Sequence, residues 1–184
     1  VMSGSQISPV SALRALSVPA FRAAAIIALI SGGHAALANE PALGIMLQVG
    51  ANGLCLDNAG SARAGTGLQG WKCSARNLNQ RFERVWLDKN FSALKHKRSG
   101  LCLDAGNGSG KSGAGVFQTR CAYHDSQSLQ ILPLPVSPTN RIFQVRARST
   151  GLCLQLEGNI KRGGRLTQSR CDRQNPAQQF SFRP

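Results

Sequence analysis

The sequence predicts an all-β domain made of three equivalent units closed about a pseudo-threefold axis, and three observations predict it. The segment Gly-Leu-Cys-Leu occurs at 53–56, 100–103 and 151–154, a period of 47 and then 51 residues. Each copy has a second cysteine downstream, Cys73, Cys121 and Cys171, at separations of 18, 19 and 18 positions. Each second cysteine is followed six or seven positions later by a glutamine and, two places on, an apolar residue: Gln80-Arg81-Phe82, Gln127-Ser128-Leu129 and Gln178-Gln179-Phe180. Self-similarity at this length marks one supersecondary unit repeated in space.

The elements of each unit follow in order. Ahead of the first glycine, Ile45, Leu47 and Val49 alternate with other residues, as do Phe143, Val145 and Ala147 in the third unit. That is the period of a half-buried strand. Leu47, Leu94 and Val145 all lie six positions before their Gly, so one core position recurs in register. Inside the cysteine loops, Asn58–Gly67, Gly106–Gly115 and Asn159–Gly164 are rich in turn formers. Pro133-Leu134-Pro135-Val136-Ser137-Pro138 separates units two and three and cannot continue a central strand or a helix. Short strands punctuated by turns specify an all-β fold, and closing three units on one another hides most strand edges.

Residues 1–38 read as an export signal. Arg14 and Arg22 precede the apolar run from Ala23 to Ile30, and Ala36-Leu37-Ala38 offers small residues at the cleavage point. That run is well short of the roughly 20 residues that span a bilayer, and no later segment reaches that length. No cysteine follows the small residues, so no lipid anchor is expected. The expectation is a soluble domain over 39–184, secreted or periplasmic, with lobes at about 43–89, 90–138 and 139–184.

Export bears on the cysteines, because an oxidising compartment keeps disulfides formed. Six cysteines allow fifteen pairings, and one pair within each repeat treats the units alike: Cys55 with Cys73, Cys102 with Cys121, Cys153 with Cys171. Closing such a loop stabilises by about 3 kcal/mol. The competing zinc reading lacks any Cys-x-x-Cys spacing, and His96 and His124 fit no repeated ligand pattern. No metal and no cofactor is expected.

Lysine and arginine number 22 against 8 acids, for a net charge of +14, and losing Arg14 and Arg22 leaves +12 on the domain. The basic residues are scattered except for two clusters, Lys95-His96-Lys97-Arg98 and Lys161-Arg162 with Arg165. A solvated cationic surface is the plain reading, and anionic glycans, acidic lipids or nucleic acid are the partners such charge admits. Aromatic residues are 5% of the chain with a single tyrosine, Tyr123, which argues against a platform of stacked rings for single-stranded nucleic acid.

The repeat resembles the ricin B-type lectin family, whose units carry a Cys-x-Asp start, a Gln-x-aromatic-x-Cys middle and a Gln-x-Trp end. The likeness runs from about Ile45 to Phe182, with Phe82, Leu129 and Phe180 where the last motif usually has tryptophan. It implies a β-trefoil with four strands per lobe, forming a barrel and a cap of hairpins. It also implies a sugar pocket in the first lobe from Asp57, Gln69, Trp71, Asn79 and Gln80. Bottom-up, Asp57 offers a charged acceptor to hydroxyls, the amides both donate and accept, and Trp71 offers a flat apolar face. Read singly, Asp57 could be a turn-starter, Trp71 core, and Asn79 and Gln80 partners of the backbone.

The second lobe keeps Asp104 and Gln127 as a weaker site, with Phe117, Thr119 and Ser126 at the other pocket positions and Tyr123 or His124 as a substitute ring. The third has Gln155, Thr167, Ser169, Ala177 and Gln178, losing both charge and ring, and reads as structural. The expected function is binding rather than catalysis: a lectin for a galactose-like or related sugar, acting through the first lobe. Two alternatives stay open, a receptor-binding or delivery subunit of a toxin such as cytolethal distending toxin, which needs a partner chain, and an interaction trefoil such as a protease inhibitor. Asp57 and Asp104 occupy equivalent places in different lobes, so no acid and base pair is expected. Trp71→Ala and Asp57→Ala are expected to abolish binding with the fold intact, and Asp104→Ala to change little.

Overall fold

A computed structural model describes residues 44–106, 110–135 and 141–184. The export segment and residues 136–138 of the proline-rich stretch lie outside the described residues.

The first lobe contributes β1 (Met46–Val49), β2 (Leu54–Asp57), β3 (Thr66–Gly67), β4 (Gln69–Lys72) and β5 (Phe82–Trp86). The second contributes β6 (Phe91–His96), β7 (Cys102–Asp104), β8 (Phe117–Thr119) and β9 (Leu129–Pro133). The third contributes β10 (Ile142–Ala147), β11 (Cys153–Leu156), β12 (Leu166–Ser169) and β13 (Phe180–Arg183), with one helical turn, α1 (Glu157–Ile160). Two of the stretches expected as turns thus hold short regular elements. Thr66–Gly67 is a strand because it pairs with Gln118 and Phe117 of the next lobe, a contact outside its own repeat. Glu157–Ile160 coils because Gly158 and Asn159 take left-handed conformations, with φ of 75° and 54°. Pro133 is the last residue of β9, opposite Phe143 at a position where the ladder needs no donor, and Leu134 still donates to Ile142 O at 2.9 Å.

The outer strands of the lobes form a ring of antiparallel pairs: β1 with β13, β13 with β10, β10 with β9, β9 with β6, and β6 with β5. The ends of this ring meet through a single bridge, in which Ile45 and Phe82 exchange both backbone hydrogen bonds at 2.8 Å. Inside it lie the residues whose spacing marked them as core. Leu47, Leu94 and Val145 are fully buried, and so are the residues two places after each glutamine, Phe82, Leu129 and Phe180. Each such side chain stabilises by roughly 1.5–3 kcal/mol relative to exposure.

The inner strands form one hairpin per lobe, β2 with β4, β7 with β8 and β11 with β12. Between the hairpins three equivalent residues close a cycle of backbone bonds: Leu68 N–H to Val116 O (3.3 Å), Val116 N–H to Leu166 O (2.9 Å), Leu166 N–H to Leu68 O (2.8 Å). This marks the pseudo-threefold axis and satisfies backbone groups that burial would otherwise leave unpaired. The glycine opening each repeat is needed at the turn into the inner strand, where Gly53, Gly100 and Gly151 have φ of 67°, 69° and 69°. The disulfides are Cys55–Cys73, Cys102–Cys121 and Cys153–Cys171, one within each lobe. The fold is therefore all-β, with three disulfide-bonded lobes in pseudo-threefold β-trefoil arrangement.

Candidate functional site

In the first hairpin Asp57 stands opposite Gln69 and Cys55 opposite Trp71. Alternation along a strand puts these four side chains on one face, while Leu56 between them enters the core. A 3-10 turn at Leu78–Gln80 brings up Asn79 and Gln80. Asn77 caps that turn by accepting from the Asn79 N–H (3.0 Å), and its Nδ2 donates to Asp57 Oδ2 (2.9 Å). Asp57, Gln69 and Trp71 are thus brought together by the hairpin, and Asn79 and Gln80 are fastened beside them through Asn77.

Asp57 is only 3% exposed. Its Oδ1 accepts from the Ala59 N–H at 2.7 Å, and its Oδ2 accepts from Asn77 and from Gln80 Nε2 at 3.2 Å. Gln80, fully buried, also donates to Lys72 O (3.0 Å) and accepts from the Ser74 N–H (3.0 Å). The same clamp recurs in the other lobes. Gln127 donates to Asp104 Oδ2 (3.3 Å), Thr119 Oγ1 (2.7 Å) and Arg120 O (2.8 Å), and accepts from the Ala122 and Tyr123 N–H groups. Gln178 donates to Gln155 Oε1 (3.0 Å) and Arg170 O (2.9 Å), and accepts from the Asp172 N–H (2.8 Å). An arrangement shared by the lobe that carries all five expected pocket residues and by a lobe that does not is a fastening of the cysteine loop. The burial and bonding of Asp57 and Asp104 change the expectation for their alanine variants: each removal would strip partners from a buried glutamine and weaken the lobe as well as any site.

Trp71 is half-buried, and the Arg162 guanidinium of the third lobe lies 4.0 Å over its ring. Asn79 Oδ1 accepts from Arg98 Nη1 of the second lobe at 3.0 Å. Gln69 meets Arg165 through an isolated backbone bridge. These arginines and Asn77 are the residues sequence reasoning left out of the site. The signal for the arginines was present, because they belong to the two basic clusters that interrupt an otherwise scattered charge.

In the second lobe Phe117 stands opposite Asp104 and Thr119 opposite Cys102. His124 Nε2 lies 3.8 Å from Asp104 Oδ2, while Tyr123 is exposed on a left-handed turn with φ of 56°. In the third, Gln155 stands opposite Thr167 and Cys153 opposite Ser169. Among the described residues no group of three or more His, Cys, Asp or Glu is placed to hold a metal ion, and no helix is long and apolar enough to cross a membrane.

With this geometry in place, the class of protein follows from comparison. The profile of the ricin-type beta-trefoil lectin domain matches residues 90–184, and that of the ricin-type beta-trefoil lectin domain-like group matches residues 38–119. The chain belongs to the ricin-type beta-trefoil lectin domain family. No curated protein matches it. Among solved structures, it is similar to the designed threefold-symmetric protein ThreeFoil, with a TM-score of 0.70 and 23% identity over 76% of this chain and 97% of that one. It is also similar to a chain of the Haemophilus ducreyi cytolethal distending toxin, TM-score 0.63 and 16% identity over 80% of this chain and 87% of that one. A third is an exo-beta-1,3-galactanase from Clostridium thermocellum, TM-score 0.68 and 17% identity over 78% of this chain and 31% of that one. Likeness at these identities shows the fold.

Proposed function

We propose that this chain is an exported lectin that binds a galactose-like or related sugar through its first lobe, without catalysing a reaction on it. The observation that carries this reading is the first hairpin's polar face, where the half-buried ring of Trp71, Gln69 and the fastened Asn79 meet beside a clamped carboxylate. No other lobe places an aromatic ring opposite its first cysteine, since Thr119 and Ser169 stand there. A pyranose packed against the part of the Trp71 ring that Arg162 leaves open would present its hydroxyls to amides that both donate and accept. A single shallow pocket of this kind binds a monosaccharide with about millimolar affinity, near −4 kcal/mol, so avidity would come from extended glycans or repeated sites.

The test is sugar titration of the domain beside Trp71→Ala and Thr119→Ala. Loss of binding in Trp71→Ala alone, with both variants folded, supports the reading. Binding unchanged in Trp71→Ala and abolished by salt would replace it with charge alone. The near full-length match to toxin chains, 87% for Haemophilus ducreyi and 91% for Actinobacillus actinomycetemcomitans, favours as second reading a delivery subunit using the same pocket. Copurification of a partner chain from the native source would decide for it.

A further inference from the structure

The two lobes flanking the first site bring arginines to it where the equivalent positions elsewhere hold small neutral residues. Gly65, Gly113 and Gly163 are equivalent: their φ values are 85°, 85° and 81°, a conformation that favours glycine. Each donates its backbone N–H to the hairpin of the next lobe, at Gln118 O (2.8 Å), Gln168 O (2.7 Å) and Gly70 O (2.8 Å). The residue before each glycine is thereby held against a neighbouring hairpin. It is Ala64 at the second lobe, Ser112 at the third and Arg162 at the first. The third lobe's position is filled by a hydroxyl pair, Ser112 Oγ to Ser169 Oγ at 2.9 Å. At the first lobe the same position carries the Arg162 guanidinium, 4.0 Å over Trp71.

Two further positions repeat the pattern. The isolated bridge partner of Gln69 is Arg165, and its equivalents, facing Phe117 and Thr167, are Gly67 and Gly115. Two places before each repeat's glycine stand Ala51, Arg98 and Ser149, and Arg98 is the one whose guanidinium reaches a pocket residue, Asn79. Arg165 is paired with Glu157 at 3.1 Å, but among the described residues neither Arg98 nor Arg162 has an acidic partner. The carboxylate of the site, Asp57, is buried and bonded to three protein donors. The charge that a ligand meets is therefore positive.

Guanidinium groups are planar forks of donors that match carboxylate and sulfate oxygens, and an arginine stacked on an aromatic ring keeps its edge donors free. We infer that the first-lobe site takes an acidic saccharide, whose carboxylate or sulfate is held by Arg162, with Arg98 reinforcing it, while the sugar ring packs at Trp71. This rests on the first-lobe reading given above and narrows its ligand class.

The experiment titrates the domain with galactose, galacturonic acid and galactose 6-sulfate at physiological ionic strength, in the natural sequence and in Arg162→Ala, Arg162→Ala/Arg98→Ala, Lys111→Ala and Trp71→Ala. At least one acidic sugar should bind about tenfold more tightly than galactose, and the two acids tell carboxylate from sulfate recognition. The double variant should bring that ratio to within about twofold, and Lys111→Ala, which removes a charge from an equivalent loop away from the site, should keep it. Galactose binding as tightly as both acids, or a preference that survives the double variant, overturns the inference and leaves the lectin reading standing. No binding of any sugar, or acidic binding untouched by Trp71→Ala, overturns the first-lobe reading and this inference with it.

Discussion

Replacing Gln80 with alanine asks whether the glutamine of the repeat is a fastening or a ligand contact. The structure gives its side chain three buried partners: Asp57 Oδ2, Lys72 O and the Ser74 N–H. The bond to the carboxylate is charge-assisted, about 1.5–3 kcal/mol, and the two to the backbone are about 0.5–1.5 kcal/mol each. Lys72 and Ser74 are exposed residues whose backbone can turn to water, so the sum falls in its lower half. The expected loss is about 3 kcal/mol. Urea unfolding with the disulfides intact measures it, followed by near-ultraviolet circular dichroism. Gln127→Ala, which breaks the equivalent clamp on Asp104, should cost the same within about 1 kcal/mol, and Gln178→Ala, whose partner Gln155 is uncharged, should cost about 1 kcal/mol less. Only Gln80→Ala should also weaken sugar binding, by releasing Asp57 and the turn carrying Asn79. A Gln80→Ala protein that loses binding while its stability changes by less than about 0.5 kcal/mol would refute the clamp.

Two further outcomes follow from buried groups. His96 is fully buried against Phe82 and its Nδ1 accepts from the Ser99 N–H at 3.1 Å, and burial holds its pKa below the ordinary value of about 6.5 despite the opposing pull of the Asn79 backbone and Asp57. The unfolded chain then binds the proton first as pH falls. Stability is full above about pH 6.5 and declines as pH drops through the native pKa, by at most about 1.4 kcal/mol per pH unit for one proton. His96→Asn should flatten that decline in urea midpoints taken at successive pH values; an equal decline in the variant would assign it elsewhere. Gly70 stands where the other lobes have Gln118 and Gln168, and a Cβ there would come within 2.5 Å of Leu156 Cδ2. Gly70→Ala should therefore cost roughly 1–3 kcal/mol through overpacking, and a thermal midpoint equal to that of the natural sequence would contradict the close approach.

The fold was legible because its determinants are local and repeated. Leu47, Leu94 and Val145 share one offset from a glycine that must adopt positive φ, and the cysteine pairs close within each unit. What spacing could not convey depends on which lobe lies against which. β3 exists because Thr66 and Gly67 find Gln118 and Phe117 across a lobe boundary. The arginines of the site come from the second and third lobes, so the clusters around Lys97 and Lys161 read as plain surface charge until neighbours are known. Within the site, the hairpin partners were legible from strand alternation. The full bonding of Asp57 was not, because one of its donors is Asn77, a turn residue outside the repeated motif.

The chain has two tryptophans, and they make the central claim directly measurable. Trp71 lies in the first-lobe site, whereas Trp86, at the end of β5, is 60% exposed beneath Arg84 at 3.8 Å. In a nitrogen-15 correlation spectrum each gives one indole N–H signal. Titration with lactose and with galacturonic acid should move the Trp71 signal saturably and leave that of Trp86 in place. A Trp71 signal that stays fixed while a sugar demonstrably binds would contradict a carbohydrate site in the first lobe.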